Sequence, residues 1–127
     1  MTGASGDKAS GCVFCDASVD GRDELMLVRG VHAFVILNLY PYNNGHLLVA
    51  PKRHVAELVD LGDDAEREIS RTITRMVGVL EKLMHPQGFN IGLNLGRAAG
   101  AGVPGHLHWH VVPRWIGDTN FMPTIAG

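Results

Sequence analysis

The sequence predicts an α+β fold: an antiparallel sheet covered by one long amphipathic helix. Two observations predict it. A stretch from Asp63 to just before Pro86 carries apolar residues at three- and four-residue spacing, the period of a helix with one buried face. Short runs rich in β-branched and aromatic residues, bounded by turn signals, lie on both sides of it. A length of 127 residues can bury one core without disulfide staples. Hydrophobic and charged fractions of 46% and 19% are ordinary for a globular protein.

The elements follow in order. Met1 to Ser10 are small and polar, lack the apolar centre of a secretion signal and read as a mobile tail. Residues 11–127 show no repeat or linker and read as a single domain. The core pattern begins near Val31, with a strand to Leu39 that ends in the turn-rich Tyr40-Pro41-Tyr42-Asn43-Asn44-Gly45. His46 to Ala50 is the returning strand, stopped by Pro51. Asp63 with Glu66 resembles a capping box, and Ile69, Ile73, Met76, Val77, Leu80, Leu83 and Met84 form the apolar stripe of the helix. Phe89 to Leu95 and His106 to Val112 are the last two strands, separated by the glycine-rich 96–105. From Arg114 to Gly127 the pattern is irregular.

Charge excludes several functions. A formal net charge of -2 offers no basic surface for nucleic acid or an anionic membrane, and no apolar run approaches the ~18 residues of a membrane span. Without an export signal the expected location is the cytoplasm. In that reducing compartment Cys12 and Cys15 read as metal ligands or thiols rather than a disulfide.

The chemistry concentrates in the last strand, His106-Leu107-His108-Trp109-His110-Val111-Val112. Strand side chains alternate, so the three histidines share one face at a spacing of about 6.6 Å. Leu107, Trp109 and Val111 turn to the other face, where the helix can cover them. Three aligned imidazoles bring no packing benefit, and titratable clusters concentrate at functional sites. The preceding loop, Gly96-Arg97-Ala98-Ala99-Gly100-Ala101-Gly102, lets backbone N–H groups converge on an anion and reads as a phosphate cradle beside them.

That strand matches the histidine triad motif, His-φ-His-φ-His-φ-φ with φ apolar, at every position. The resemblance to the histidine triad family runs from about Cys12 to Phe121, through Asn38, the segment 42–51 and the strand and loop 90–102. Leu39-Tyr40-Pro41-Tyr42-Asn43, Pro113-Arg114-Trp115 and 117–121 resemble the bacterial branch that phosphorolyses diadenosine tetraphosphate. The resemblance implies the histidine triad fold, a homodimer sharing an extended sheet, and a nucleotide substrate containing AMP. It implies no organic cofactor.

By resemblance, His108 is the nucleophile that attacks the α-phosphorus, and a backbone carbonyl of its own strand holds the proton on its other nitrogen. His110 stabilises the developing phosphate charge, and His46 orients the triad. Asn38 matches the ribose-binding position; Asn94, Gly100, Ala101 and Gly102 match the phosphate-binding loop. The family often carries a Ser or Thr just before the triad that protonates the leaving group; none lies between Arg97 and His106. A basic leaving group needs that acid more than a polyphosphate does. The expected substrate is therefore a dinucleoside polyphosphate, resolved by water or by inorganic phosphate, ahead of a nucleoside phosphoramidate. A nucleotide-binding regulatory module with negligible turnover is the alternative, and a protein using its histidines for metal alone is the third.

Cys12-Val13-Phe14-Cys15 has the spacing that lets two thiolates clasp one metal, which is half of a tetrahedral site. Relatives with this pair complete a structural zinc site with two histidines. The matching positions are His54 and His106. His32 and His85 match nothing and read as surface or packing residues.

Overall fold

In a computed structural model of the chain, the described residues are Cys12, Phe14, Cys15 and the ranges 25–38, 45–99 and 105–118. The expected tail, the turn at 39–44, the loop positions Gly100, Ala101 and Gly102, and the chain beyond 118 lie outside them. Five strands form one antiparallel sheet: β1 (Met26–Arg29), β2 (Ala33–Leu37), β3 (Leu47–Pro51), β4 (Gly88–Leu93) and β5 (Trp109–Arg114), in the order β1-β2-β3-β5-β4. One helix, α1 (Asp63–Met84), packs on one face. Its 22 residues make a rod of about 33 Å. The α+β reading holds. Among the described residues no helix is long and apolar enough to cross a membrane.

The strands are two-faced, and this positions the site. Ala33 and Val35 of β2, Leu47 and Val49 of β3, and Leu107 and Val111 join Ile69, Met76 and Leu80 of α1 in one core, with Trp109 packed against it. The intervening residues, Phe34, Ile36, Leu48 and Ala50, form a second cluster with Cys12, Phe14 and Cys15 on the opposite face. Period-two alternation thus feeds two cores at once.

Several boundaries differ from the expectation. The first strand is shorter, Ala33–Leu37, because Gly30 to His32 turn the chain back onto an unforeseen β1. β3 and β5 each run through the proline expected to stop them. Pro51 closes β3 opposite Ala33, and Pro113 pairs only with Phe89 because β3 begins its pairing further along, at Val111. There the proline's missing N–H breaks no ladder. The triad strand is ladder-paired from Trp109, not from His106, and β4 spans Gly88–Leu93 rather than Phe89 to Leu95.

The capping box is also corrected. Gly62 is the N-cap, at φ 91 and ψ 151, and makes no side-chain cap. Asp63, Asp64 and Glu66 lie in the first turn, where their charges favour the helix dipole instead. At the far end His85 adopts the left-handed conformation, and its N–H donates to the Glu81 carbonyl at 3.1 Å. In that last turn Met84 packs on the core, whereas Leu83, also assigned to the stripe, is 73% exposed.

Helix and sheet are tied outside the core by Glu68. Its carboxylate accepts the N–H of His32 and the N–H of Ala33, each at 3.0 Å, clasping the β1–β2 turn. Glu68→Ala is expected to destabilise the fold by about 1–2 kcal/mol, read as a lower urea midpoint with unchanged slope. An unaltered midpoint would show that water replaces the carboxylate at no cost.

Candidate active site and metal centre

Four histidines line the face of the sheet opposite α1, and their hydrogen bonds fix which nitrogen carries each proton. His108 Nδ1–H donates to the His106 carbonyl at 2.9 Å, since a carbonyl can only accept. Its Nε2 therefore holds the lone pair. No partner for Nε2 occurs among the described residues, and it is not sealed from solvent. The Asn38 side-chain NH₂ donates to His46 Nδ1 at 3.3 Å, leaving His46 Nε2–H to donate to His110 Nδ1 at 2.9 Å. His110 consequently carries its proton on Nε2. The rings of His108 and His110 lie 5.3 Å apart, edge to face. Side by side, the site offers one imidazole lone pair and one imidazole N–H.

Burial keeps these rings neutral. His46 is fully buried, which lowers its pKa to about 4. Burial, then repulsion from His46 and His108, lowers His110 to about 3. Burial also lowers His108, against the opposing pull of the His106 carbonyl bond. His106 falls to about 4, by burial first and then by the neighbouring His54 and His108 charges, opposed by its bond to Pro51.

The sign of the linkage follows. Between pH 6.5 and about 4 the unfolded chain binds protons at His46 and His110 that the folded chain refuses, so stability present above pH 6.5 is lost on acidification. His46 alone accounts for about 3 kcal/mol. Urea midpoints measured from pH 7 to pH 4 should fall, and a His46→Gln variant should fall less steeply. Parallel slopes in the two proteins would refute the assignment.

Cys12, Cys15, His54 and His106 converge on the same face, one donor atom from each lying within 4.8 Å of all the others. Cys12 Sγ stands 3.3 Å from His106 Nδ1; Cys15 Sγ stands 3.3 Å from His54 Nδ1 and 3.5 Å from His106 Nδ1. A tetrahedral ion bound at ordinary zinc distances separates a sulfur from a nitrogen ligand by about 3.5 Å, so the residues fit. His106 Nε2–H donates to the Pro51 carbonyl at 2.8 Å, which leaves the Nδ1 lone pair facing the thiols. No disulfide joins the cysteines. The Cys15 N–H points at Cys12 Sγ at 3.4 Å, the tight turn that a two-residue spacing allows.

The structure thus brings His46, His108, His110 and Asn38 together, and gathers all four expected metal ligands beside them. Asn94 is half-buried just after β4; the cradle positions Gly100, Ala101 and Gly102 lie outside the described residues. His32 is exposed. Two contributors were not foreseen. Phe14 stacks on His108 with ring centroids 4.6 Å apart, and the Pro51 carbonyl orients His106. Phe14 sits between the two cysteines, which was the only available signal; nothing local says which ring it meets across the fold.

Residues 22–115 match the family model described as the HIT domain. The chain belongs to the HIT family. Over 106 residues it is 48% identical to an AP-4-A phosphorylase of Mycobacterium tuberculosis, a match covering 84% of this chain and 54% of that protein. The chain therefore spans about half the length of that HIT relative. Among solved HIT structures, a Zn-bound histidine triad family protein from Mycobacterium smegmatis superimposes with a TM-score of 0.76 and 32% identity, over 87% of this chain and 81% of that one. A HIT family protein from Bacillus anthracis gives 0.77 and 28%, over 87% and 77%.

Proposed function

We propose that the chain is a nucleotidyl-transferring enzyme acting on dinucleoside polyphosphates such as diadenosine tetraphosphate, with His108 as nucleophile. The observation that carries this reading is the bond from His108 Nδ1–H to the His106 carbonyl, which leaves the Nε2 lone pair as the attacking atom. Nε2 attacks the α-phosphorus, the bond to the bridging oxygen breaks, and a nucleoside polyphosphate leaves. His110, carrying its proton on Nε2, donates to the phosphate oxygens as their charge grows. Water then releases AMP from His108, or inorganic phosphate releases ADP. Asn38, which holds His46, would also bind ribose; Asn94 with Gly100, Ala101 and Gly102 would receive the phosphates.

Cys12, Cys15, His54 and His106 would hold a structural zinc ion, which supplies a closed tetrahedral cross-link rather than a reactive centre. The similarity to the M. smegmatis Zn-bound protein supports that identity. β4 is an edge of the sheet with Ile91 exposed, and α1 exposes Val79 and Leu83. These apolar surfaces favour a homodimer whose sheet continues across β4. We propose that residues 11–127 fold as a single domain and that the protein works in the cytoplasm.

The test is product analysis of diadenosine tetraphosphate with and without inorganic phosphate. AMP with ATP identifies a hydrolase; ADP with ATP, formed only with phosphate, identifies a phosphorylase. Binding without products would overturn the enzymatic reading in favour of a nucleotide sensor. Because no hydroxyl residue lies between Arg97 and His106, kcat/KM should be higher on the tetraphosphate than on adenosine phosphoramidate. Equal values would refute that preference.

A further inference from the structure

Phe14 has no part in the metal set or in the chemistry just assigned, yet it is 2% exposed and touches both. Its ring lies over His108, centroids 4.6 Å apart and planes 29° from parallel, and also meets His106 at 5.4 Å. The backbone on either side of it is set by Cys12 and Cys15, whose thiols both face His106 Nδ1. Position 14 is thus held at both ends by the groups that would grip the metal.

The nucleophile needs such a contact. The bond from Nδ1 to the His106 carbonyl fixes one edge of the His108 ring but lets it rock about that edge. His110 meets it edge to face on one side. Phe14 supplies a flat wall against a ring face, which opposes that rocking. Reactions of this kind lose rate steeply with misplacement, by as much as about a hundredfold for 1 Å.

We propose that Phe14 is a positioning residue for His108, and that filling the Cys12/Cys15/His54/His106 site with zinc sets the nucleophile's orientation through this ring. Metal occupancy is thereby coupled to the rate of nucleotidyl transfer, by way of the Cys12–Cys15 knuckle and by way of His106, whose side chain faces the metal site while its carbonyl holds His108. The inference rests on the reading of His108 as nucleophile.

Two measurements test it. In single-turnover and steady-state assays of zinc-loaded protein, Phe14→Leu should lower the rate of His108 nucleotidylation and kcat about tenfold, with KM changed less than twofold and zinc content equal to wild type; Phe14→Tyr should recover most of the loss. A raised KM with unchanged kcat would overturn the proposal, because the ring would then only contact substrate. Independently of any variant or activity, the His108 ring protons in the wild type should show an upfield ring-current shift by NMR that diminishes when zinc is chelated and returns when zinc is restored. Resonances indifferent to zinc would overturn the coupling. An inactive wild type that retains the zinc-dependent shift would refute the nucleophile reading while leaving the structural coupling standing, so the two failures are distinguishable.

Discussion

Replacing His108 with asparagine is expected to lower kcat by about 10⁴-fold or more, the scale seen when a covalent nucleophile is removed. Asparagine can keep a donor near the His106 carbonyl, so the fold should survive and the loss should fall on chemistry. The covalent intermediate offers a direct check. Wild-type protein mixed with diadenosine tetraphosphate and quenched rapidly should gain the mass of one adenylyl group (AMP less a water) on the peptide containing His108, and the variant should gain none. His110→Asn should react more slowly yet still carry the label, because the proposed role of His110 is to supply an N–H rather than the attacking lone pair. Label on His110 in the wild type, or substantial turnover by the asparagine variant, would sink the assignment.

Metal removal should have the second-largest effect. Cys15 is fully buried, and Cys12 and Phe14 nearly so, within a small cluster on the open face of the sheet. Such a cluster has little apolar area to hold it, and a bound zinc ion contributes directly to folding free energy. Chelation is expected to cost about 3 kcal/mol or more, roughly 10 °C in Tm for a chain of this size. Cys15→Ser should reproduce the loss and abolish its response to chelator. Less than a tenth of a zinc ion per chain in protein purified without chelator, or an unchanged Tm after chelation, would argue against a structural metal.

The fold was legible where a long period had room to declare itself. Over the 22 residues of α1 the apolar spacing repeats often enough to declare one buried face, and Ile69, Met76 and Leu80 of that stripe are buried. Short elements were harder to read. β1 has only four residues with alternating exposure and a register irregularity between Met26 and Val28, so its pattern resembles a loop. Prolines misled for a related reason. Whether Pro51 or Pro113 ends a strand depends on whether a neighbour still lies alongside, which is decided by pairing and not by local sequence.

The site divides in the same way. Histidines at 106, 108 and 110 were evident because a strand's own geometry aligns them, and the Cys12–Cys15 spacing announced half a metal site. What joins these parts was invisible: Asn38 to His46, His46 to His110, His106 to Pro51 and Phe14 to His108 are contacts between separate elements. Resemblance to a family supplied the roles of Asn38 and His46, but no residue pattern assigned protons to their ring nitrogens. Those follow only from which partner can donate and which can only accept.

The two-faced character of the strands constrains how this protein can evolve. From Leu107 to Val111, alternate residues serve the helix-covered core and the histidine face. Substitution at one position perturbs one side. Deletion or insertion of a single residue would invert every later one, driving imidazoles under α1 and exposing leucine and valine among the polar groups. In a mutational library this segment should therefore accept apolar replacements of similar volume at its helix-facing positions while rejecting every change of length, so that spacing is inherited more strictly than the exact side chain.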